Sequence, residues 1–104
     1  MSASEPKAAL ADCRSRIDVV DRRIVALLNE RTAVVENIGR VKREAKLPVY
    51  EPKREDQVFA NIASANQGPL THHSVRGIFE RIIDEMRSIQ RLRMIQTPPE
   101  EPKC

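Results

Sequence analysis

Arg31 and Lys42 are the residues of this sequence whose types and spacing suit them best to joint chemistry. They stand eleven positions apart in a helix-like stretch, so on an α-helix they project within about 20° of each other and roughly 16 Å apart along the axis. Two long cationic side chains leaning together along one groove make a clamp for a small dianion, and the guanidinium offers the fork that carboxylates accept in bidentate fashion. Arg31 also interrupts an apolar series. Leu10, Cys13, Ile17, Val20, Ile24, Leu27, Arg31, Val34, Ile38 and Val41 are spaced alternately by three and four, the pattern of a packed helical seam. A guanidinium in such a seam is costly unless an anion pairs with it.

Gln90 is a second polar intruder, four residues after Met86 on another apolar stripe. Its amide can satisfy a backbone group in a core or donate to a ligand. Arg14 flanks the seam but lies roughly 42 Å from Lys42 along the same helix. It reaches that site only from a second copy running antiparallel. With 18 basic residues in 104, a solvated surface role is the default for any one of the others. Cys13 reads as a small buried hydrophobe. His72 and His73 are adjacent, so their side chains diverge, and no metal-ligand spacing accompanies them. No Ser/His/Asp or Cys/His arrangement, P-loop or dinucleotide fingerprint is present. What remains is a positively lined pocket that binds an anion or stabilises shifting charge without a nucleophile of its own.

Composition narrows the class. Apolar residues make up 40% and charged residues 32% of the chain, and no stretch approaches the roughly 20 apolar residues of a membrane span. The first residues, MSASEPKAALADCRSR, lack a secretory pattern, and the two cysteines suggest neither a metal site nor a disulfide scaffold. A cytoplasmic protein is expected. The net charge of +3 is modest, aromatic residues are 3%, and the cations of the first helix interleave with Asp18, Asp21, Glu30 and Glu36. That is no nucleic-acid stripe.

Few glycines and no alternating β-branched runs make the expected class all-α, with three helices over residues 7–45, 52–66 and 72–96. Pro52 suits a first helical turn, Thr71 can cap the third helix, and Gly68-Pro69 is a stop signal. Residues 1–6 are expected to be a flexible N-terminus, 7–96 one helical domain and 97–104 a disordered polar tail. The first helix would be on the order of 57 Å long, against a radius of gyration near 13 Å for a compact domain of about 100 residues. The other two helices are too short to sheathe it. A homodimer whose long helices share one core follows, with Val75, Ile78, Phe79, Ile82, Ile83, Met86 and Ile89 on helix three, and Val58, Phe59 and Ile62 on helix two, as further apolar stripes.

These residues resemble a known family. Arg14-x-x-Ile17-x-x-x-Asp21, the stretch LLNERTAVVENIGRVK ending at Lys42, and PVYEPKRED are similar to the all-helical chorismate mutases, over residues 10 to 91. NQGPLTHHSVRGIFERI further resembles the versions found alone or fused ahead of an aromatic-pathway synthase, so such a synthase is an implied partner. The resemblance implies an intertwined all-α dimer with two equivalent sites, no cofactor and no metal, and the [3,3]-sigmatropic rearrangement of chorismate to prephenate in phenylalanine and tyrosine synthesis. By position, Arg31 and the Arg14 of a second copy would hold the substrate carboxylates. Lys42 and Gln90 would hydrogen-bond the ether oxygen, and Glu55 would take the ring hydroxyl. Arg54 would brace that end of the pocket, and Glu51 stands where relatives often carry an acid near the hydroxyl. Met86 departs from the pattern, replacing a small hydroxyl residue that some relatives carry.

Two other readings compete. A related fold member eliminates pyruvate from isochorismate in salicylate synthesis with a similar cationic pocket; the Arg54-Glu55 pair, after a longer loop from Lys42, favours the mutases. The other is a helical dimerisation or regulatory module that binds aromatic-pathway ligands or a synthase partner without catalysis. Turnover by the chain alone distinguishes it.

Overall fold

The computed structural model describes residues 5–95. Within them the chain forms three helices and no strand: α1 from Glu5 to Ala45, α2 from Pro52 to Ala65 and α3 from His72 to Ile95. The all-α expectation holds, and each described boundary lies within two residues of its expected place. Residues 1–4 of the expected flexible N-terminus, and the tail expected at 97–104, lie outside the described residues. No helix among the described residues is long and apolar enough to cross a membrane.

The chain divides into two compact units that meet within α1, between Ala33 and Val34. The first is the leading part of α1. Its apolar stripe is exposed along its length: Leu10, Ile17, Val20, Ile24 and Leu27 are each about half open to solvent or more, Leu27 reaching 61%. Cys13, expected to be a small buried hydrophobe, is exposed with them. The reason is geometric, since a single helix offers no second layer against which to bury its stripe.

The second unit contains the end of α1, α2 and α3. Its core is small: Val35, Ile83 and Met86 are buried, with Val58, Phe59 and Ile62 of α2 and Val75, Phe79, Ile82 and Ile89 of α3 half-buried around them. Ile78, counted in the α3 stripe, is half exposed. The rest of the α2 and α3 stripes faces inward, as a 3.6-residue period requires when two helices pack along one side, whereas Val34, Ile38 and Val41 of the expected α1 seam are exposed.

Local chemistry sets each helix end. α1 closes with Lys46 in the left-handed region at φ 57; the Leu47 N–H donates to the Lys42 carbonyl at 2.8 Å and the Lys46 N–H to the Arg43 carbonyl at 3.2 Å. That pair of bonds is a Schellman ending, and it turns the chain back immediately after Lys42. Pro52 occupies the first turn of α2, where its missing N–H is harmless. Beyond α2, the Asn66 amide donates to the Leu70 carbonyl at 2.9 Å and accepts from the Gly68 N–H at 3.0 Å, fixing a turn in which Gly68 takes φ 77. Thr71 caps α3 as expected, its hydroxyl accepting from the Ser74 N–H at 3.0 Å.

A side chain with a Cβ is disfavoured at the Lys46 conformation by roughly 1–2 kcal/mol. Lys46→Gly is therefore expected to raise stability by about 0.5–1 kcal/mol after glycine's unfolded-state entropy is counted, and Lys46→Val to lower it by about 1 kcal/mol or more. Urea midpoints of the two variants should bracket that of the parent.

Candidate functional site

The Schellman turn places Lys42 at the mouth of a small polar centre. Lys42 is only 7% exposed, and a buried ammonium must find acceptors. It finds three. Nζ donates to the Val49 carbonyl at 3.0 Å and to Gln90 Oε1 at 3.1 Å, and pairs with Glu51 Oε1 at 2.8 Å. An ammonium only donates, so Gln90 must turn its oxygen to Lys42. Its NH2 is left as a directed donor beside the cation. Lys42 and Gln90, singled out separately in the sequence, thus meet across 48 residues of chain.

What permits the meeting is Gly39, one turn before Lys42. A Cβ built there would stand 3.2 Å from Arg93 Cβ, 3.5 Å from the Gln90 carbonyl oxygen and 3.6 Å from Gln90 Cα. The α3 backbone therefore comes against α1 where α1 has no side chain. Two bonds brace the approach: Arg93 pairs with Glu36 at 3.0 Å, and the Arg43 guanidinium donates to the Arg93 carbonyl at 3.2 Å. The available signal was a glycine inside a strongly helical pattern, which is unfavourable by about 1 kcal/mol unless packing requires it.

A second polar cluster lies where α2 meets α3. Glu55 is ion-paired with Arg87; the same guanidinium reaches Asp84 at 3.4 Å and stands 5.3 Å from the Tyr50 ring centre. Arg87 Nε is buried without a hydrogen-bond partner. The hydrogen bond that Arg87 donates to Glu55 pushes the Arg87 pKa above its ordinary value against the opposing effect of desolvation, with further help from the Glu55 and Asp84 charges. A folded-state pKa raised in this way stabilises the fold at all pH values below the ordinary arginine range. Arg87 was not foreseen. In the sequence it reads only as a neighbour of Asp84, because its principal partner is 32 residues away.

The remaining expected residues are placed as follows. Met86 is buried in the core of the second unit. Arg54 is exposed on α2, where it donates to Gln57 one turn on, at 3.3 Å. Arg14 is exposed and Arg31 half-buried, both in the first unit. Seventeen residues of helix separate these two, roughly 26 Å, too far for both to grip one small molecule from the same chain. Thus the fold joins Lys42, Glu51 and Gln90 in one centre and Glu55 with Arg87 in another. Among the described residues no group of three or more His, Cys, Asp or Glu side chains is arranged to hold a metal.

Three helices and no strand among the described residues, with a buried lysine backed by a glutamine, define an all-helical domain class. Residues 13–91 match the family model described as chorismate mutase type II, and the chain belongs to that family. The chain is 33% identical over 86 residues to a bifunctional chorismate mutase/prephenate dehydratase of Aquifex aeolicus, with 79% of this chain and 24% of that protein covered. It is 24% identical over 89 residues to a chorismate mutase of Methanocaldococcus jannaschii, covering 85% of this chain and 90% of that one. Among solved structures, a chorismate mutase from Thermus thermophilus superposes with a TM-score of 0.78 at 34% identity, covering 80% of this chain and 94% of its own. The chain spans about a quarter of the Aquifex relative.

Valine at Gly39 would force bulk into the 3.2 Å gap, and overpacking of this kind typically destabilises by about 1–3 kcal/mol. Gly39→Val should lower the urea midpoint accordingly. Gly39→Ala, whose better helix propensity offsets part of the crowding, should lower it less.

Proposed function

We propose that this chain catalyses the rearrangement of chorismate to prephenate, working as an antiparallel, intertwined homodimer in which each site takes Arg14 from the second copy. The observation that carries the reading is the buried Lys42 ammonium with the Gln90 amide fixed beside it. In this rearrangement the carbon–oxygen bond of the ether breaks while a carbon–carbon bond forms within the same molecule. No proton, electron or group is exchanged with the protein. Bond breaking runs ahead of bond making, so negative charge builds on the ether oxygen. An ammonium and an amide donor held in place stabilise that charge more in the transition state than in the ground state.

The other roles follow from the substrate's shape and charge. Chorismate is a flexible dianion, and its reactive conformer folds the enolpyruvyl arm over the ring. Arg31 and the Arg14 of a second copy grip the two carboxylates and supply that orientation. Glu55 accepts from the ring hydroxyl, with Arg54 bracing the same end, and Met86 supplies apolar wall. Glu51 borders the hydroxyl end. The site is lined by this chain's own side chains and uses no cofactor.

Two features support the dimer. The apolar stripe of α1 from Leu10 through Leu27 is exposed, a face that calls for a partner helix. The roughly 26 Å between Arg14 and Arg31 also means that both can serve one ligand only if one of them comes from another copy. The Aquifex relative's name couples chorismate mutase with prephenate dehydratase, which supports an enzyme that consumes prephenate as the next step or partner.

Lys42→Ala is expected to lower kcat at least about a hundredfold, the loss associated with one oxyanion donor, while the circular dichroism spectrum stays that of the parent. Chorismate consumption by the purified chain, with prephenate as product, is the direct assay; near-parental turnover in the variant would refute the assignment. Arg14→Ala and Lys42→Ala, each inactive alone, should regain partial activity once mixed and allowed to exchange subunits. Heterodimers without activity would contradict the shared site.

A further inference from the structure

Lys42 is crowded by three oxygen atoms. An ammonium carries three N–H bonds; two of them go to the Val49 carbonyl at 3.0 Å and Gln90 Oε1 at 3.1 Å, and the Glu51 carboxylate stands beside the same nitrogen as an ion pair at 2.8 Å. On the functional reading above, Lys42 must also donate to an ether oxygen. An ether oxygen at hydrogen-bond distance competes with these three oxygens for the space around Nζ.

Two of them are anchored. The Val49 carbonyl is backbone, in the short segment between the Schellman turn and Pro52. Gln90 sits on α3 where that backbone comes against Gly39, with the Arg93–Glu36 pair at 3.0 Å bracing the contact. Glu51 is different. Its side chain is 51% exposed although its partner's is 9% exposed, so it can swing into solvent without disturbing a core. It also has somewhere to go. Glu51 is the N-cap residue of α2, with φ −132 and no side-chain bond to the helix start. The free N–H groups and positive dipole end of a helix N-terminus favour a carboxylate there. The same carboxylate therefore has two competing destinations: the Lys42 ammonium, or the open end of its own helix.

We propose that Glu51 is a displaceable counter-ion, a positioning residue that holds Lys42 in the empty site and swings to cap α2 when a dianionic substrate takes its place. This rests on the reading of Lys42 as the donor to the ether oxygen. The carboxylate balances a buried cation before substrate binds, and its departure opens a place for an anionic or ether oxygen beside the ammonium. The apparent affinity for substrate is reduced by the fraction of molecules in which Glu51 has already left.

Two substitutions at this position test the idea in different ways. Glu51→Gln removes the competing charge. Glu51→Asp keeps the charge, but its side chain is one methylene shorter for reaching Lys42 and aspartate is a strong N-cap, so it biases the carboxylate toward α2. Both should lower KM for chorismate by at least about threefold, the factor expected where the released form is less than about a third of the population. Asp56→Asn, which removes a charge from an exposed position on α2, controls for the general field and should leave KM within about twofold of the parent.

A KM that is unchanged or raised in Glu51→Asp overturns the proposal, as does a fall in Asp56→Asn equal to that in Glu51→Gln. A readout without turnover keeps the test separate from the functional reading. Malonate, a small dianion, should raise the melting temperature of both Glu51 variants more than that of the parent; equal or smaller shifts also overturn the proposal. Should the unsubstituted protein fail to convert chorismate, the functional reading falls and the malonate shifts alone decide the role of Glu51.

Discussion

A buried ammonium with three acceptors is the constraint around which the second unit is built. Lys42 lies at the end of α1, and its partners come from the connecting segment, the start of α2 and the far part of α3. An unpaired charge at that depth would be strongly destabilising. Satisfying it therefore obliges three separate pieces of chain to converge. The Schellman turn at Lys46 and the missing side chain at Gly39 are the two backbone devices that make the convergence possible.

The same economy shapes the Arg87 cluster. Arg87 draws on Glu55 from α2, Asp84 from its own helix and the face of Tyr50, so α2 and α3 are fastened by charge beside the half-buried apolar residues that join them. A core with three buried apolar side chains supplies little burial of its own, and charge-assisted contacts define how these helices meet. Glu55 is held at the same time. If it receives a substrate hydroxyl, as proposed, it does so from a carboxylate already oriented by a guanidinium.

The leading part of α1 poses the opposite problem, with apolar surface in excess and nothing in its unit to cover it. Exposed apolar stripes of this length are the kind of surface that marks an interaction site. In the proposed dimer one surface serves two ends: association buries the stripe, and it brings in an arginine that the site could not otherwise obtain. Stability and site completion would then be linked, because a chain that failed to associate would lack both its core and half of its carboxylate clamp.

Much of this was legible in residue order. Helix type and boundaries followed from the period of Leu, Ile and Val and from local punctuation at Pro52, Gly68 and Thr71, because helix formation and capping are decided by neighbours within a few positions. Gln90 could be suspected because a polar group at an apolar position of a short-range pattern is visible in one dimension, and Lys42 because it stands eleven residues from Arg31 on one side of a helix. Their contact, the carbonyl of Val49, the tie between Glu55 and Arg87, and the need for glycine at position 39 were decided only by tertiary structure. Each depends on two segments 7 to 54 residues apart meeting within a few ångströms, and such distances are set by helix packing that no local spacing encodes.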